Sequence, residues 1–224
     1  MTWPEVAARA RGTVLAVPVG STEQHGPHLP LSTDTDVAAA VAERLAAARA
    51  DVLVAPAVSY GSSGEHAGFP GTLSIGQDAL EVVLLELGRS ADAFAGIVFV
   101  SAHGGNAQPV SKAVRRLEYE GRRVRSWHPR GGETDKLDAH AGYTETSVLM
   151  ALNPARVRED AAEAGGAGRA TTPGDLMAML LNQGVASVSP NGVLGDPTGS
   201  SAEAGRALLD AWTSDLQAAL DGWP

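Results

Sequence analysis

Apolar positions along this chain alternate between short continuous runs and longer stretches with helical spacing. Residues 13–19 (TVLAVPV) form the first run and predict a buried strand, with Pro18 marking its approaching end. Residues 36–50 combine good helix formers with apolar helical spacing, and residues 52–58 predict a second strand interrupted by Pro56. Residues 77–89 then set Leu80, Val83, Leu84 and Leu87 at helical intervals behind Gly76. The clearest run is 96–101 (GIVFVS), uninterrupted and β-branched, as expected of a sheet covered on both faces. Residues 106–120 predict a helix, 122–127 a short strand, 131–135 a polar loop, and 144–152 a helix stopped by Asn153-Pro154.

After residue 161 the texture changes. Residues 161–170 are Ala/Gly-rich and loop-like, Thr172 and Pro173 read as the N-cap and first position of a helix, 185–195 as a short strand and turn, and 202–220 as a closing helix. No internal repeat or long linker divides residues 1–224, so one domain is expected. The strand–helix alternation predicts an α/β fold, a three-layer α/β/α sandwich with a mostly parallel central sheet. Sites in such sheets form beyond the carboxyl ends of the strands.

Composition narrows the function classes. With no cysteine, disulfides, thiolate metal sites and cysteine nucleophiles are excluded. A net charge of −9 disfavours nucleic acid or anionic membrane as partner. The basic residues between Arg115 and Arg125 straddle a predicted helix end and read as a solvated, dipole-matched face. The N-terminus has no basic region leading into a long apolar run, and no stretch approaches a membrane span, so a soluble cytoplasmic protein is expected.

Against this background the segment after the first strand stands out. Glu23 and His25 sit two apart, so in extended chain both side chains leave on one side, and Asp34 follows nine residues later. Oxygen and nitrogen donors without thiolate suit Zn, Mn or Fe(II). His103-Gly104-Gly105-Asn106 comes directly off the 96–101 strand, where glycines permit close approach of a ligand; the plainer reading is a tight turn with Asn106 capping the helix. Because His103 and Glu23/His25 follow different parallel strands, they are expected to meet at one sheet edge as metal ligands.

A third cluster joins Asp138 and His140, a pair in which the carboxylate can orient the imidazole, to Glu145 in the first turn of a helix that Thr144 would cap. The polar loop with Ser63, Glu65 and His66 is expected to wall a substrate pocket, with Gly104 beside it. His28 and His66 are lesser ligand candidates, and His128 reads as an ordinary surface residue.

Taken together, residues 20–30 with Thr33-Asp34, His103-Gly104-Gly105-Asn106, and His140-Ala141-Gly142 with Glu145-Thr146-Ser147 resemble the creatininase family of amidohydrolases. Residues 61–66, 74–76, 138–142 and 192–197 look like its mycofactocin-associated branch. The resemblance implies a two-metal site of divalent ions, Zn with Fe or Mn, and a homo-oligomer, a hexamer or similar. It implies Glu23, His25, Asp34 and His103 as ligands with Asp34 bridging, His140 as the proton-transfer residue and Asp138 as its neighbour at the substrate.

Two departures bear on the reading. Creatininase has a glutamate where this chain has Gly105, and a tryptophan where it has Leu137. Glu145 is the expected substitute for the missing carboxylate. Loss of the aromatic platform argues against a flat ring as substrate and for a peptide. The resemblance thus implies metal-dependent cleavage of a modified precursor peptide that releases a crosslinked C-terminal Val-Tyr. The alternatives are hydrolysis of a small cyclic amide or formamide, and a non-catalytic metal-bearing subunit that binds peptide.

Overall fold

The computed structural model describes residues 1–130, 138–165, 179–180 and 182–223. The expectations for 131–135, Leu137 and Thr172-Pro173, and part of that for 161–170, lie outside these residues. Four strands form one all-parallel sheet: β1 (Val14–Val19), β2 (Val52–Val54), β3 (Gly96–Ser101) and β4 (Val124–Trp127), in the order β2-β1-β3-β4.

Period-two alternation sends the apolar residues of each central strand to two separate cores. Val14 and Ala16 of β1 and Val98 and Val100 of β3 face α2 (Thr33–Ala48), α5 (Tyr143–Leu152) and the closing helix α6 (Ala202–Ala219). Val17, Val19, Ile97 and Phe99 face α3 (Gln77–Ser90) and α4 (Ala107–Tyr119). Helices cover both faces, and the three-layer sandwich is the observed fold. A short N-terminal helix, α1 (Trp3–Ala7), buries nothing.

Three boundaries differ from the sequence pattern, each for a local reason. Strand β2 stops at Val54 rather than residue 58, because Pro18 and Pro56 have no N–H to offer the ladder. Beyond it the pairing is reduced to Ala55 N to Ala16 O, Val58 N to Pro18 O and Gly20 N to Val58 O, all 2.9 Å, with an isolated parallel bridge between Val19 and Val58. Helix α2 begins at Thr33, three residues early, which moves Asp34 from the loop into its first turn. In 185–195 there is no strand: Val185–Val188 is one helical turn. The Asn191 carboxamide oxygen accepts from Val193 N at 3.1 Å and the Ser189 hydroxyl bonds Val193 O at 2.6 Å, meeting backbone needs locally.

The arginine cluster is paired rather than simply solvated. The Glu120 carboxylate accepts from Arg89, Arg116 (3.0 Å) and Arg122 (2.7 Å). Among the described residues no helix is long and apolar enough to cross a membrane.

The α5–α6 contact is close because Gly205 is bare. A Cβ there would lie 1.9 Å from the backbone oxygen of Ser147, which no side-chain rotation can relieve. Gly205→Ala is therefore expected to lower unfolding stability by ~2–3 kcal/mol despite the better helix propensity of alanine. A urea midpoint at or above that of the wild type would refute the close-packing argument.

Candidate functional site

Strands β1 and β3 lie side by side, with Val19 in register with Ser101. From β1 the chain crosses to β2 on one side of the sheet, and β3 leads to β4 on the other, so the order reverses between them. This is the crevice in which open α/β sheets build their sites. The loops after β1, β2 and β3 are tied together there by Asn106. Its amide nitrogen donates to Gly20 O and its oxygen accepts from Ser62 N, both at 2.9 Å. It makes no side-chain cap, so the capping expectation for Asn106 fails. Helix α2 is held to the first loop by Thr35 Oγ1 donating to Ser21 O (2.9 Å) and Ser21 Oγ to Asp34 Oδ2 (2.5 Å).

Into this crevice converge Glu23, His25, Asp34, His103, His140 and Glu145. Their donor atoms form three groups, each compact enough to share one ion: Glu23/Asp34/His103, His25/Asp34/Glu145 and Glu23/His25/His140. The first two share Asp34, whose Oδ1 lies 3.3 Å from His25 Nε2 and Oδ2 3.4 Å from His103 Nδ1. Glu145 Oε2 is 3.8 Å from His25 Nε2.

Proton placement tests whether a cation fits. His25 Nδ1 faces Glu23 O at 3.2 Å, and as donor there it leaves the Nε2 lone pair toward Asp34 and Glu145. His103 Nε2 lies 2.9 Å from Ser62 O and 3.1 Å from Glu23 Oε2, and Nδ1 lies 3.4 Å from Asp34 Oδ2, so either tautomer leaves a lone pair toward a carboxylate. His140 Nε2 donates to Gln24 O at 2.7 Å, leaving Nδ1 toward Glu23 Oε1 at 3.6 Å. In each case a lone pair confronts a carboxylate oxygen, an arrangement a cation satisfies. Glu23 is fully buried with neither carboxylate oxygen hydrogen-bonded among the described residues. Its oxygens face only imidazoles, His103 Nε2 at 3.1 Å, His66 Nε2 at 3.3 Å and His140 Nδ1 at 3.6 Å, so a buried carboxylate there calls for positive charge among them.

The electrostatics agree. Burial pulls His25 down, but Asp34, Glu145 and Glu23 outweigh it and push its pKa up to about 10. His103 is likewise pulled down by burial and pushed up to about 10 by Glu23, Asp34 and Glu65. The carboxylates thus create a potential able to hold a proton on each of two buried imidazoles. Divalent cations are the natural alternative occupants, and the donor set, all carboxylate and imidazole, suits Zn, Mn or Fe(II).

The expected pocket-wall residues reach the same cluster. His66 is buried with Nε2 3.3 Å from Glu23 Oε1, Ser63 Oγ is 3.4 Å from His103 Nε2, and Glu65 Oε1 is 3.6 Å from it. Gly104 is exposed beside His103, with open space over its Cα.

Asp138 does something other than orient His140. Its carboxylate accepts from the Thr144 hydroxyl and from Thr144 N (3.2 Å), capping α5 from outside. The N-cap position is Gly142, not Thr144. Ala141, between the two, is the only described non-glycine residue with positive φ (58°), a conformation costing roughly 1–2 kcal/mol. Glu145 Oε2 secures it by accepting from Ala141 N at 2.6 Å.

His28 is a support rather than a ligand. Its Nε2 meets Thr146 Oγ1 at 2.9 Å, and burial, then neighbouring His25, lowers its pKa to about 4. His128 is half-buried rather than a surface residue, its pKa lowered by burial.

Gln24 is the residue that sequence reasoning missed. Its amide hydrogens reach His66 Nδ1 (2.9 Å) and Gly192 O (3.0 Å), while its own carbonyl holds His140. The only sequence signal was its place between Glu23 and His25, where strict alternation would turn it away. A cavity of about 180 Å³ opens against the centre, lined by Asp34, His140 and Glu145 together with Asp138, Arg130 and Trp212.

Comparison with known proteins accords with this geometry. The family model described as creatininase, creatinine amidohydrolase, matches residues 1–220. The chain is 50% identical over 203 residues to the mycofactocin precursor peptide peptidase of Mycolicibacterium smegmatis, covering 88% of this chain and 79% of that one. It is 47% identical over 222 residues to the protein of that name from Mycobacterium tuberculosis H37Rv, covering 93% and 85%. A tryptophan-to-phenylalanine mutant of creatininase superposes with a TM-score of 0.84 at 26% identity over 100% of this chain and 97% of that one. A structure titled creatininase Mn gives 0.83 at 26% identity, over 100% and 97%.

Proposed function

The chain belongs to the creatininase family, and from that membership we propose a binuclear metal-dependent peptidase that cleaves a modified precursor peptide. The observation that carries the metal reading is the pair of donor groups meeting at Asp34, beside a buried Glu23 whose oxygens have no hydrogen bond. The peptide reading draws on the relatives at 47–50% identity, named for a precursor peptide, against 26% for creatininase structures.

In this reading Glu23, Asp34 and His103 hold one cation, and His25, Asp34 and Glu145 the other, with Zn, Mn or Fe as candidates. Cations so held supply Lewis acidity, lowering the pKa of water from 15.7 towards roughly 7 and polarising a scissile carbonyl.

The chain's own groups do the rest. His140 lines the cavity with its tautomer set by the Gln24 carbonyl, so Nδ1 is the atom that takes up a proton. Burial, then the neighbouring His25 and His66, keeps this imidazole well below its usual range, hence neutral at rest with its Nδ1 lone pair unprotonated. Glu23 Oε1, 3.6 Å away, stabilises the imidazolium that results. Returned from Nδ1 to the departing amine, that proton completes amide cleavage. Trp212 and Val37 give the cavity an apolar wall and Arg130 a cation, chemistry suited to an aromatic C-terminal residue and its carboxylate. A homo-oligomer in the cytoplasm is part of the proposal.

A small-substrate reading, a cyclic amide or formamide, draws on the cavity's modest volume of about 180 Å³, below the usual range for ligand pockets. One assay separates the two. Metal-loaded protein is expected to release the crosslinked Val-Tyr fragment from the modified peptide, read by mass spectrometry, and to lose that activity after chelation. Turnover of creatinine with the peptide left intact would replace this substrate by the small amide.

A further inference from the structure

We infer that Glu23, His25 and His140 form a separate zinc position, filled when a single zinc is bound and exclusive of proton transfer by His140. The inference rests on the metal reading above and gives a role to the one donor group which that reading leaves without an ion. Two imidazoles and one carboxylate make it the nitrogen-rich member of the three, since each of the others has one imidazole and two carboxylates. Imidazole suits zinc, while carboxylate-rich sets suit Mn(II). The groups therefore differ in the ion they favour as well as in place.

Both rings are set for this by two consecutive carbonyls. His25 Nδ1 faces Glu23 O at 3.2 Å, and His140 Nε2 donates to Gln24 O at 2.7 Å. With those nitrogens as donors, His25 Nε2 and His140 Nδ1 carry the lone pairs, on rings whose centroids are 4.2 Å apart. A carbonyl behind an imidazole fixes the tautomer that a metal ligand needs. His140 Nδ1 lies 3.6 Å from Glu23 Oε1, close to the ~3.4 Å between two ligands of a tetrahedral zinc bound at ~2.0–2.1 Å. The carboxylates differ as well. Asp34 Oδ2 accepts from Ser21 Oγ at 2.5 Å and Glu145 Oε2 from Ala141 N at 2.6 Å, whereas Glu23 has no hydrogen bond among the described residues. A first cation therefore gains most by neutralising Glu23. His103, the other imidazole grouped with Glu23, sets Nε2 between Glu23 Oε2 (3.1 Å) and Ser62 O (2.9 Å), so a lone pair on that atom opposes a carbonyl. His140 meets no such conflict.

A zinc so held takes the Nδ1 lone pair that amide cleavage needs for its proton, so the singly loaded protein is inactive. Filling both groups at Asp34 commits His25 to Asp34 and Glu145 and releases His140. The readout is the number of imidazoles on zinc, measured by X-ray absorption at the zinc edge. Metal-free wild type given one equivalent of Zn(II) is expected to show two imidazoles per zinc. At two equivalents the average is expected to fall to one, because each group at Asp34 contains a single histidine. Peptide cleavage is expected to appear only between the first and second equivalents. His140→Ala is expected to show one imidazole at one equivalent and to bind that zinc at least about tenfold more weakly. Circular dichroism checks that the variant is folded.

One imidazole per zinc in the wild type at one equivalent would overturn the inference without recourse to any variant, and so would two imidazoles in His140→Ala. An average of two at full loading would show that His140 is never released, and would overturn the exchange. A wild type that takes up no Zn(II) would instead overturn the metal reading, and this inference with it.

Discussion

Asp34→Asn is expected to lower turnover by about three orders of magnitude and to reduce bound cation from two equivalents to one or none. Asp34 belongs to both donor groups, with Oδ1 toward His25 and Oδ2 toward His103, and Ser21 Oγ fixes its orientation at 2.5 Å. Asparagine keeps the shape but removes the charge, and it turns one of the two oxygens into a donor aimed at a cation position. Lewis-acid stabilisation is worth several kcal/mol, and each ~1.4 kcal/mol is tenfold in rate, which sets the scale of the loss. Elemental analysis of the purified variant alongside the peptide assay checks both halves. Two cations retained with turnover within tenfold of wild type would show that Asp34 bridges nothing.

His140→Ala is expected to cut turnover by about 10²–10⁴-fold while both cations remain. The ring lies 4.2 Å from His25 and 4.4 Å from His66, centroid to centroid, and is held by the Gln24 carbonyl. Because His140 also completes a donor group with Glu23 and His25, the cation count decides its part. Loss of a cation together with activity would make it a ligand and remove the proton-transfer assignment. Unchanged turnover would retire both roles. Cation content is the discriminating readout, since a ligand and a proton carrier both lower kcat.

Much of the centre was legible before the fold because its donors are unusual residues at unusual places. A buried-strand pattern that runs straight into Glu23 and His25, or into His103, leaves chemistry-bearing side chains at a sheet edge, and parallel strands put those edges together. Glu145 was expected only as a stand-in for a carboxylate absent at Gly105. The geometry separates two matters there: Glu145 lies by His25, while Glu65 occupies the room beside His103. For Asp138 the structure shows a partner that the Asp-x-His spacing did not reveal. The left-handed turn at Ala141 and the start of α5 give its carboxylate to Thr144 instead.

The sequence alone therefore placed the four strands and the helices α2 to α6 to within a few residues, and singled out the carboxylates and imidazoles with the chemistry to bind a cation or move a proton. Hydrophobic periodicity and donor chemistry are local properties, readable within a dozen residues. Only the tertiary structure decided how those residues are shared. Asp34 stands between two histidines, Gln24 holds a ring 116 positions away, and Glu65 fills a space made by Gly105. Those contacts depend on the β1–β3 register and on turn geometry, so a shift of one ångström in either rearranges them without altering any local pattern.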